Sequence, residues 1–200
     1  MTFAVFAAIA CAWSYVIAFL VLTAMTSRRK GQSVWLFGKG RERQALPALL
    51  FRAAFVLAVT YPPLSIWLPA RTETLVGAGA HSGVLHAVEM IGLATMAIGA
   101  MFALYSQNHM GASWRIGAAS GHLGGIVDTG PFRISRNPVF VGQCVLFIGL
   151  LIVFPTVVQF LITIGLLVAV RLQVGIEERV LVGEMGEDYR AYKRRVRRWL

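Results

Sequence analysis

The sequence predicts an all-α integral membrane protein: a single helical domain over residues 1–200 with five transmembrane segments and a cytosolic amphipathic C-terminal helix. Hydrophobic residues make up 57% of the chain and charged residues only 14%, whereas soluble domains carry about a quarter charged residues. Uncharged apolar runs recur along the chain, and basic residues gather at their ends. A chain of 200 residues allows one compact unit.

Five apolar segments are the predicted spans. They are Phe3–Met25, Ala45–Leu68, Val84–Tyr105, Val139–Phe154 and Thr156–Val170. The first exceeds the about 20 residues that a spanning helix needs. Because no basic region precedes it, we interpret it as a retained helix rather than a signal peptide. The last two are shorter, and we expect them to form a helical hairpin that turns at Pro155.

The distribution of basic residues predicts the orientation. Six of the 19 Lys and Arg residues lie within 28–43 and seven within 179–198. Basic loops are retained on the cytosolic side and attract anionic lipid. We therefore expect an outer N-terminus, a cytosolic C-terminus and a location in a bilayer, the bacterial inner membrane. The net charge of +10 comes with no nucleic-acid recognition motif, so we expect no nucleic-acid partner.

The segment 106–138 is too polar and too rich in glycine to span a membrane. It contains six glycines, two histidines and three arginines, and we expect an ordered cytosolic or partly re-entrant segment. Its histidines, His109 and His122, have no further ligand nearby, so no metal site is predicted. Cys11 and Cys144 lie in apolar segments, which argues against a disulfide scaffold.

The tail from Glu177 to Leu200 has the pattern of an amphipathic helix. Its apolar face consists of Leu181, Met185, Tyr189, Tyr192, Val196 and Trp199, at spacings of three or four residues. Arginines and Lys193 occupy the opposite face. We expect Tyr192, Val196 and Trp199 to lie at the membrane interface, with the arginines toward lipid phosphates.

Two groups of charged residues are candidates for a binding site. Arg133 and Arg136 can each offer a planar fork to a carboxylate or phosphate. They precede Asn137 and Pro138, which suit the cap and first turn of a helix. The other reading is that both arginines only set topology. Glu177-Glu178 is either a solvated pair or a pair that holds ribose hydroxyls, an amino group or a neighbouring arginine.

These motifs resemble those of the isoprenylcysteine carboxyl methyltransferase and phospholipid methyltransferase superfamily of membrane enzymes. The first is Gly-Pro-Phe-Arg-Ile-Ser-Arg-Asn-Pro-Val-Phe-Val-Gly at 130–142. The second is Glu177-Glu178-x-x-Leu followed by Gly186-x-x-Tyr-x-x-Tyr. The stretch Met110–Arg115 resembles a motif upstream of them. The resemblance covers the chain from Met110 to its C-terminus.

The resemblance implies S-adenosylmethionine as cofactor, held by the cytosolic portions 106–138 and 171–200 and covered by the C-terminal segment. The implied cofactor-binding residues are Gly130, Pro131, Phe132, Arg133, Arg136, Asn137, Pro138, Phe140 and Glu178. The implied catalytic residues are Arg171, Glu177 and Glu178, with Arg171 near the acceptor carboxylate. Asn137 and Phe140 stand where eukaryotic members have His and Tyr.

The acceptor implied by the resemblance is membrane-embedded or lipid-modified, most like the carboxyl group of an isoprenylcysteine. An ionised carboxylate needs no base. A phospholipid, small amine or thiol acceptor is the alternative, with Glu178 or His109 as the candidate base. An alternative of another class is a non-catalytic membrane scaffold or assembly protein. The sterol reductases share the C-terminal motif but are longer, which disfavours that relation.

Overall fold

The described part of the chain is helical, and its helices follow the predicted order of apolar segments. The structure, a computed structural model, describes residues 2–31, 33–36, 45–67, 82–117 and 125–200. Its helices are α1 (Phe3–Lys30), α2 (Ala45–Trp67), α3 (Ser82–Met110), α4 (Pro138–Val153) and α5 (Val157–Arg195). Within the described ranges, β-structure is limited to isolated bridge residues, among them Trp35 and Ile116, which pair with each other. The all-α prediction is confirmed.

Four of these helices, α1, α2, α3 and α5, are long and apolar enough to cross a membrane. The apolar portion of α5 is its first part, since residues 157–170 carry no charge and Arg171 follows. The 16 residues of α4 extend only about 24 Å at 1.5 Å per residue, against a hydrocarbon core of about 30 Å. The four long apolar helices make the chain an integral membrane protein. A fifth span over α4 and the orientation of the termini stay predictions.

Helix α3 continues to Met110, beyond the predicted end at Tyr105, because the polar residues there find partners inside the bundle. Ser106 Oγ donates to the carbonyl of Phe102 at 2.7 Å. Gln107 Nε2 donates to the carbonyl of Phe19 at 3.1 Å and to Thr23 Oγ1 at 2.9 Å. Of the polar segment that follows, residues 118–124, which include His122, lie outside the described residues.

Glycines let α3 and α4 approach each other backbone to backbone. Gly92 and Gly99 on α3 face Gly149 and Gly142 on α4. A Cβ built at Gly142 would stand 2.6 Å from the carbonyl oxygen of Gly99, and one at Gly149 would stand 2.6 Å from that of Gly92. Small residues at such positions are a common means of close helix packing in membranes. The contact holds α4, and the site residues before it, against α3.

The turn between α4 and α5 lies at Pro155, as the sequence predicts. Thr156 caps α5, because its Oγ1 accepts a hydrogen bond from the backbone N–H of Gln159 at 3.1 Å. The hydroxyl of Tyr61 donates to the same oxygen at 2.9 Å. The hairpin is thereby tied to α2 at this end of the bundle.

The tail reverses direction instead of forming a separate surface helix. Within α5, Gly186 has φ 55° and ψ −124°, a conformation that residues with a Cβ rarely adopt. Beyond it, Tyr189, Tyr192 and Val196 are buried together. The prediction that Tyr192 and Val196 lie at the membrane interface is therefore wrong. Their apolar face packs on the protein because the reversal brings it there.

The close contact between α3 and α4 predicts a strong effect of a single methyl group. Gly142→Ala should lower the free energy of unfolding by about 1–3 kcal/mol, because the new Cβ meets backbone atoms that cannot move aside. The matched control is Gly165→Ala on α5, where a built Cβ meets nothing within 4 Å. The control should be neutral or stabilising by up to about 1 kcal/mol. Thermal unfolding in detergent measures both, and equal effects would contradict this packing.

Candidate functional site

A cavity opens where the polar segment before α4, the start of α4 and the second half of α5 meet. The space in it that no protein atom occupies measures about 1010 Å³, and this figure includes the mouth that is open to the surroundings. Helices α1 and α2 close part of it from the bundle, and the tail beyond Gly186 closes another part. The cavity thus lies where the spanning helices give way to the polar segments.

The lining of the cavity divides into an apolar wall and a charged wall. The apolar wall contains Phe19, Phe51 and Phe140, one each from α1, α2 and α4. The rings of Phe51 and Phe140 pack edge to face with centroids 6.0 Å apart. The charged wall consists of Arg115, Arg136, Glu177 and Glu178, with Phe132, Gln173, Tyr189 and Tyr192 beside them. Such a cavity can hold a charged polar molecule and an apolar chain side by side.

The carboxylate of Glu178 is buried and held by two arginines. Arg136 approaches Oε1 through Nη2 at 2.8 Å and Nε at 3.1 Å. Arg198 donates from Nη2 to Oε2 at 2.6 Å and from Nε to Oε1 at 3.1 Å. Lys193 Nζ lies 3.7 Å from Oε2. Since a buried carboxylate needs such partners, Glu178 binds the tail to the segment before α4.

The remaining donors of that segment also bind the tail. Arg136 Nη1 donates to the carbonyls of Val196 at 2.7 Å and Lys193 at 3.1 Å. The hydroxyl of Tyr192 donates to the carbonyl of Phe132 at 2.8 Å. The two bonds from Arg136 satisfy carbonyls near the end of α5. They keep the tail closed along one side of the cavity.

Asn137 belongs to the same contact and does not cap α4 as predicted. It occupies the N-cap position, but its side chain makes no capping hydrogen bond. Its Nδ2 instead donates to the carbonyl of Arg198 at 3.0 Å. Pro138 stands in the first turn of α4, as predicted, where the missing N–H has no consequence.

The environment of Glu178 favours its ionised form. Burial alone would raise the pKa of this carboxyl, but hydrogen bonds from Arg198 and Arg136 outweigh it and hold the pKa below its usual value. A carboxyl with a lowered folded-state pKa stabilises the fold above its unfolded pKa. That stabilisation is lost as the pH falls through the folded pKa. The two arginines leave Glu178 poorly suited to act as a base.

Glu177 and Arg115 face the cavity, and neither makes an ion pair with another described residue. Burial raises the pKa of Glu177, although Gln173 and Arg115 oppose the shift, and Gln173 Nε2 donates to its Oε1 at 2.9 Å. Burial lowers the pKa of Arg115. Its Nη1 donates to the carbonyl of Ser113 at 3.1 Å, while its Nε has no hydrogen-bond partner among the described residues. A buried donor and carboxylate so placed are able to bind a ligand.

The structure brings only part of the predicted site together. Phe132, Arg136, Asn137, Pro138, Phe140, Glu177 and Glu178 line the cavity, and Gly130, Pro131 and Arg133 do not. Arg133 is exposed. Arg171 lines a second cleft beside α2. Sequence reasoning missed Arg115, Gln173 and Tyr189, although Arg115 ends the upstream motif and could have been found from it.

His109 lies beside the cavity but does not line it. Its Nε2 is 3.0 Å from Thr129 Oγ1. A Cβ built at Gly130, whose φ is +55°, would stand 2.6 Å from the His109 ring, so only glycine fits there. Among the described residues no group of three His, Cys, Asp or Glu side chains could hold a metal ion. Because Glu177 lines the cavity and His109 does not, Glu177 is better placed to act as a base.

Comparison with known proteins identifies a family. A family model described as phospholipid methyltransferase matches residues 88–187, half of the chain. The match begins in α3, includes the segment before α4, and ends just after Gly186. A comparison with curated proteins finds no match.

Because Arg136 and Arg198 both bind Glu178, removing the negative charge of this residue should strongly lower the stability of the protein. Glu178→Gln should lower the free energy of unfolding by about 3 kcal/mol, because it leaves Arg136 uncompensated in a buried position. The matched control is Glu187→Gln, which removes the same charge from an exposed residue paired with Arg194. The control should unfold like wild type, because exposed ion pairs contribute little to stability.

Thermal unfolding in detergent at pH 7 measures both glutamate variants. Lowering the pH through the folded pKa of Glu178 should reduce the difference between wild type and Glu178→Gln. A Glu178→Gln protein as stable as the Glu187→Gln control would show that the tail does not depend on this carboxylate.

Proposed function

The chain belongs to the phospholipid methyltransferase family, and we propose that it transfers a methyl group from S-adenosylmethionine to the carboxyl group of an isoprenylcysteine. Family membership makes the protein a membrane methyltransferase, and methyltransferases of this family generally use S-adenosylmethionine. The observation that carries the proposal is that one and the same cavity has a charged wall and an apolar wall. A donor and a lipophilic acceptor have to meet in such a place.

The charged wall fits the donor. Arg115 has an Nε without a hydrogen-bond partner among the described residues, and it can bind the carboxylate of the donor. Glu177 can accept a hydrogen bond from the amino group or a ribose hydroxyl, and Phe132 and Tyr189 offer rings beside the adenine. When bound, S-adenosylmethionine supplies a methyl group already activated on a sulfonium. Both predicted portions, 106–138 and 171–200, contribute to this wall, which supports their proposed role.

The proposed roles of Arg136 and Glu178 follow from their mutual contact. Both line the cavity, but their charged atoms mainly bind each other, Arg198 and carbonyls of the tail. We propose that they shape the donor site by keeping the tail closed. Gly130, Pro131 and Arg133, which the resemblance assigns to the cofactor, would act through the backbone of the same segment.

The apolar wall fits the acceptor chain. Phe19, Phe51 and Phe140 come from helices of the bundle, so a chain lying along them would remain among apolar groups. Arg171, which the resemblance places near the acceptor carboxylate, lies in the second cleft. An acceptor carboxylate in the cavity would therefore be oriented by other groups.

The reaction needs positioning more than acid or base chemistry. The acceptor carboxylate oxygen forms a bond to the methyl carbon while the bond from that carbon to sulfur breaks. The negative carboxylate becomes a neutral ester, the positive sulfonium becomes a neutral sulfide, and no proton moves. The protein contributes by aligning the two groups and excluding water. The closed tail serves both purposes.

Glu177 favours a second acceptor class, the amine headgroup of a phospholipid. An ammonium group must lose a proton before it can attack the methyl carbon. Glu177 faces the cavity with a raised pKa and no ion pair in the described residues, and it can take that proton. Methylation of an amine would then slow as the pH falls through the pKa of Glu177, because only the ionised carboxylate is a base.

An acceptor assay tests the proposal. Purified protein with S-adenosylmethionine labelled in its methyl group is expected to methylate a prenylcysteine analogue, and alkali should release the label as methanol from the ester. Arg115→Met should weaken donor binding by roughly 10- to 150-fold, since a hydrogen bond to a charged group contributes about 1.5–3 kcal/mol. The matched control is Arg194→Met, an exposed arginine of the tail, which should bind the donor like wild type.

Phosphatidylethanolamine is the parallel acceptor. Alkali-stable label in this lipid, lost at low pH and in Glu177→Gln, would replace the carboxyl acceptor by the amine. Absence of both transfer and donor binding in the folded protein would support a scaffold instead.

A further inference from the structure

A second cleft lies on the other side of Glu178 from the cavity. Leu46 and Pro47 at the start of α2 form one side of it, and the stretch of α5 from Arg171 to Val182 forms the other. Lys193 and Arg198 of the tail close its end. Neither the family match nor the proposed reaction gives this cleft a role.

The cleft carries an excess of positive charge. Arg171, Arg179, Lys193 and Arg198 line it with a single carboxylate, that of Glu178. Arg198 and Lys193 direct their charges toward Glu178, at 2.6 and 3.7 Å. Arg171 and Arg179 are exposed and make no ion pair within the described residues. Two guanidinium groups therefore remain for an anion.

The cleft stands at the boundary between apolar and polar parts of the bundle. Arg171 is the first charged residue after the apolar portion of α5, and Leu46 and Pro47 begin the apolar helix α2. Both sides therefore lie at the same face of the membrane, at the depth of lipid headgroups. Leu46, Leu172, Ile176 and Val182 give the cleft apolar surface next to its charges.

We propose that the second cleft binds the headgroup of an anionic membrane phospholipid. Arg171 and Arg179 contact its phosphate, because the guanidinium fork matches phosphate oxygens. The acyl chains lie along Leu46 and Leu172. The excess positive charge selects an anionic lipid over a zwitterionic one, whose ammonium group would face the arginines. The site is separate from the methyl-transfer cavity, so it does not depend on the proposed reaction.

A lipid titration of the full-length protein in detergent tests the site, with bound lipid counted by native mass spectrometry. Phosphatidylglycerol should bind, and phosphatidylcholine should bind much more weakly. The double variant Arg171→Gln/Arg179→Gln should weaken phosphatidylglycerol binding by about 25-fold, since each arginine near an anionic surface contributes about five-fold. The matched control Arg190→Gln/Arg194→Gln removes the same charge from exposed tail arginines, and should change the affinity less than about two-fold.

Three results would overturn the assignment. Equal losses in the two double variants would show a general charge effect. Equal binding of phosphatidylcholine would remove the selection for an anionic lipid. Displacement of phosphatidylglycerol by equimolar inorganic phosphate would mean that the cleft takes free phosphate. Should the double variant unfold, Arg179→Gln alone decides, with an expected loss of about five-fold.

Discussion

The buried carboxylate of Glu178 is the interaction on which the arrangement of the site depends. It lies on α5, 4% exposed, and its partners come from two other places in the chain, Arg136 before α4 and Arg198 in the tail. A buried charge without partners would be costly, so the three groups have to stay together. While they do, the tail remains folded back along the cavity. Removing any one of them changes the other two.

The helical bundle and the ion-pair cluster of Arg136, Glu178 and Arg198 have different structural roles. Close contact between α3 and α4 at Gly99 and Gly142 fixes the start of α4, and with it the segment that carries Arg136. The reversal at Gly186 then brings the tail to that segment. The charged wall thus combines residues from a rigid helix pair and from a tail held by hydrogen bonds. In the proposed reaction the helices would position the acceptor, and the tail would cover the donor.

Much of the fold could be predicted from the sequence because local features mark membrane helices. Long apolar runs with flanking arginines predicted the five apolar segments, and Pro155 predicted the turn of the hairpin. The end of α3 was misplaced because Ser106 and Gln107 look polar but are satisfied by partners within the bundle. The tail was assigned to the lipid interface because its apolar stripe is the same whether it faces lipid or protein. The reversal of the chain at Gly186 turns this stripe toward the protein, and the spacing of the apolar residues does not reveal that reversal.

The candidate site was predictable as a set of residues but not as a set of contacts. Arg136 and Glu178 stand out as charges beside apolar segments, yet their pairing joins residues 42 positions apart. Local patterns carry no information on such a contact. The role given to Arg171 came from the family resemblance, but its side chain lines a different cleft from Glu177. Arg115 was overlooked because Glu177, which lines the same cavity, lies far from it along the chain, on α5.

The most direct test of the account is a double-mutant cycle between Arg136 and Glu178, with S-adenosylmethionine affinity measured by calorimetry. If the pair closes the tail over the donor site, Arg136→Met and Glu178→Gln should each weaken binding, and the double variant should lose little more than either one. The coupling energy should then be at least about 1 kcal/mol. Additive losses, or wild-type affinity in both single variants, would contradict the claim that this ion pair holds the site together.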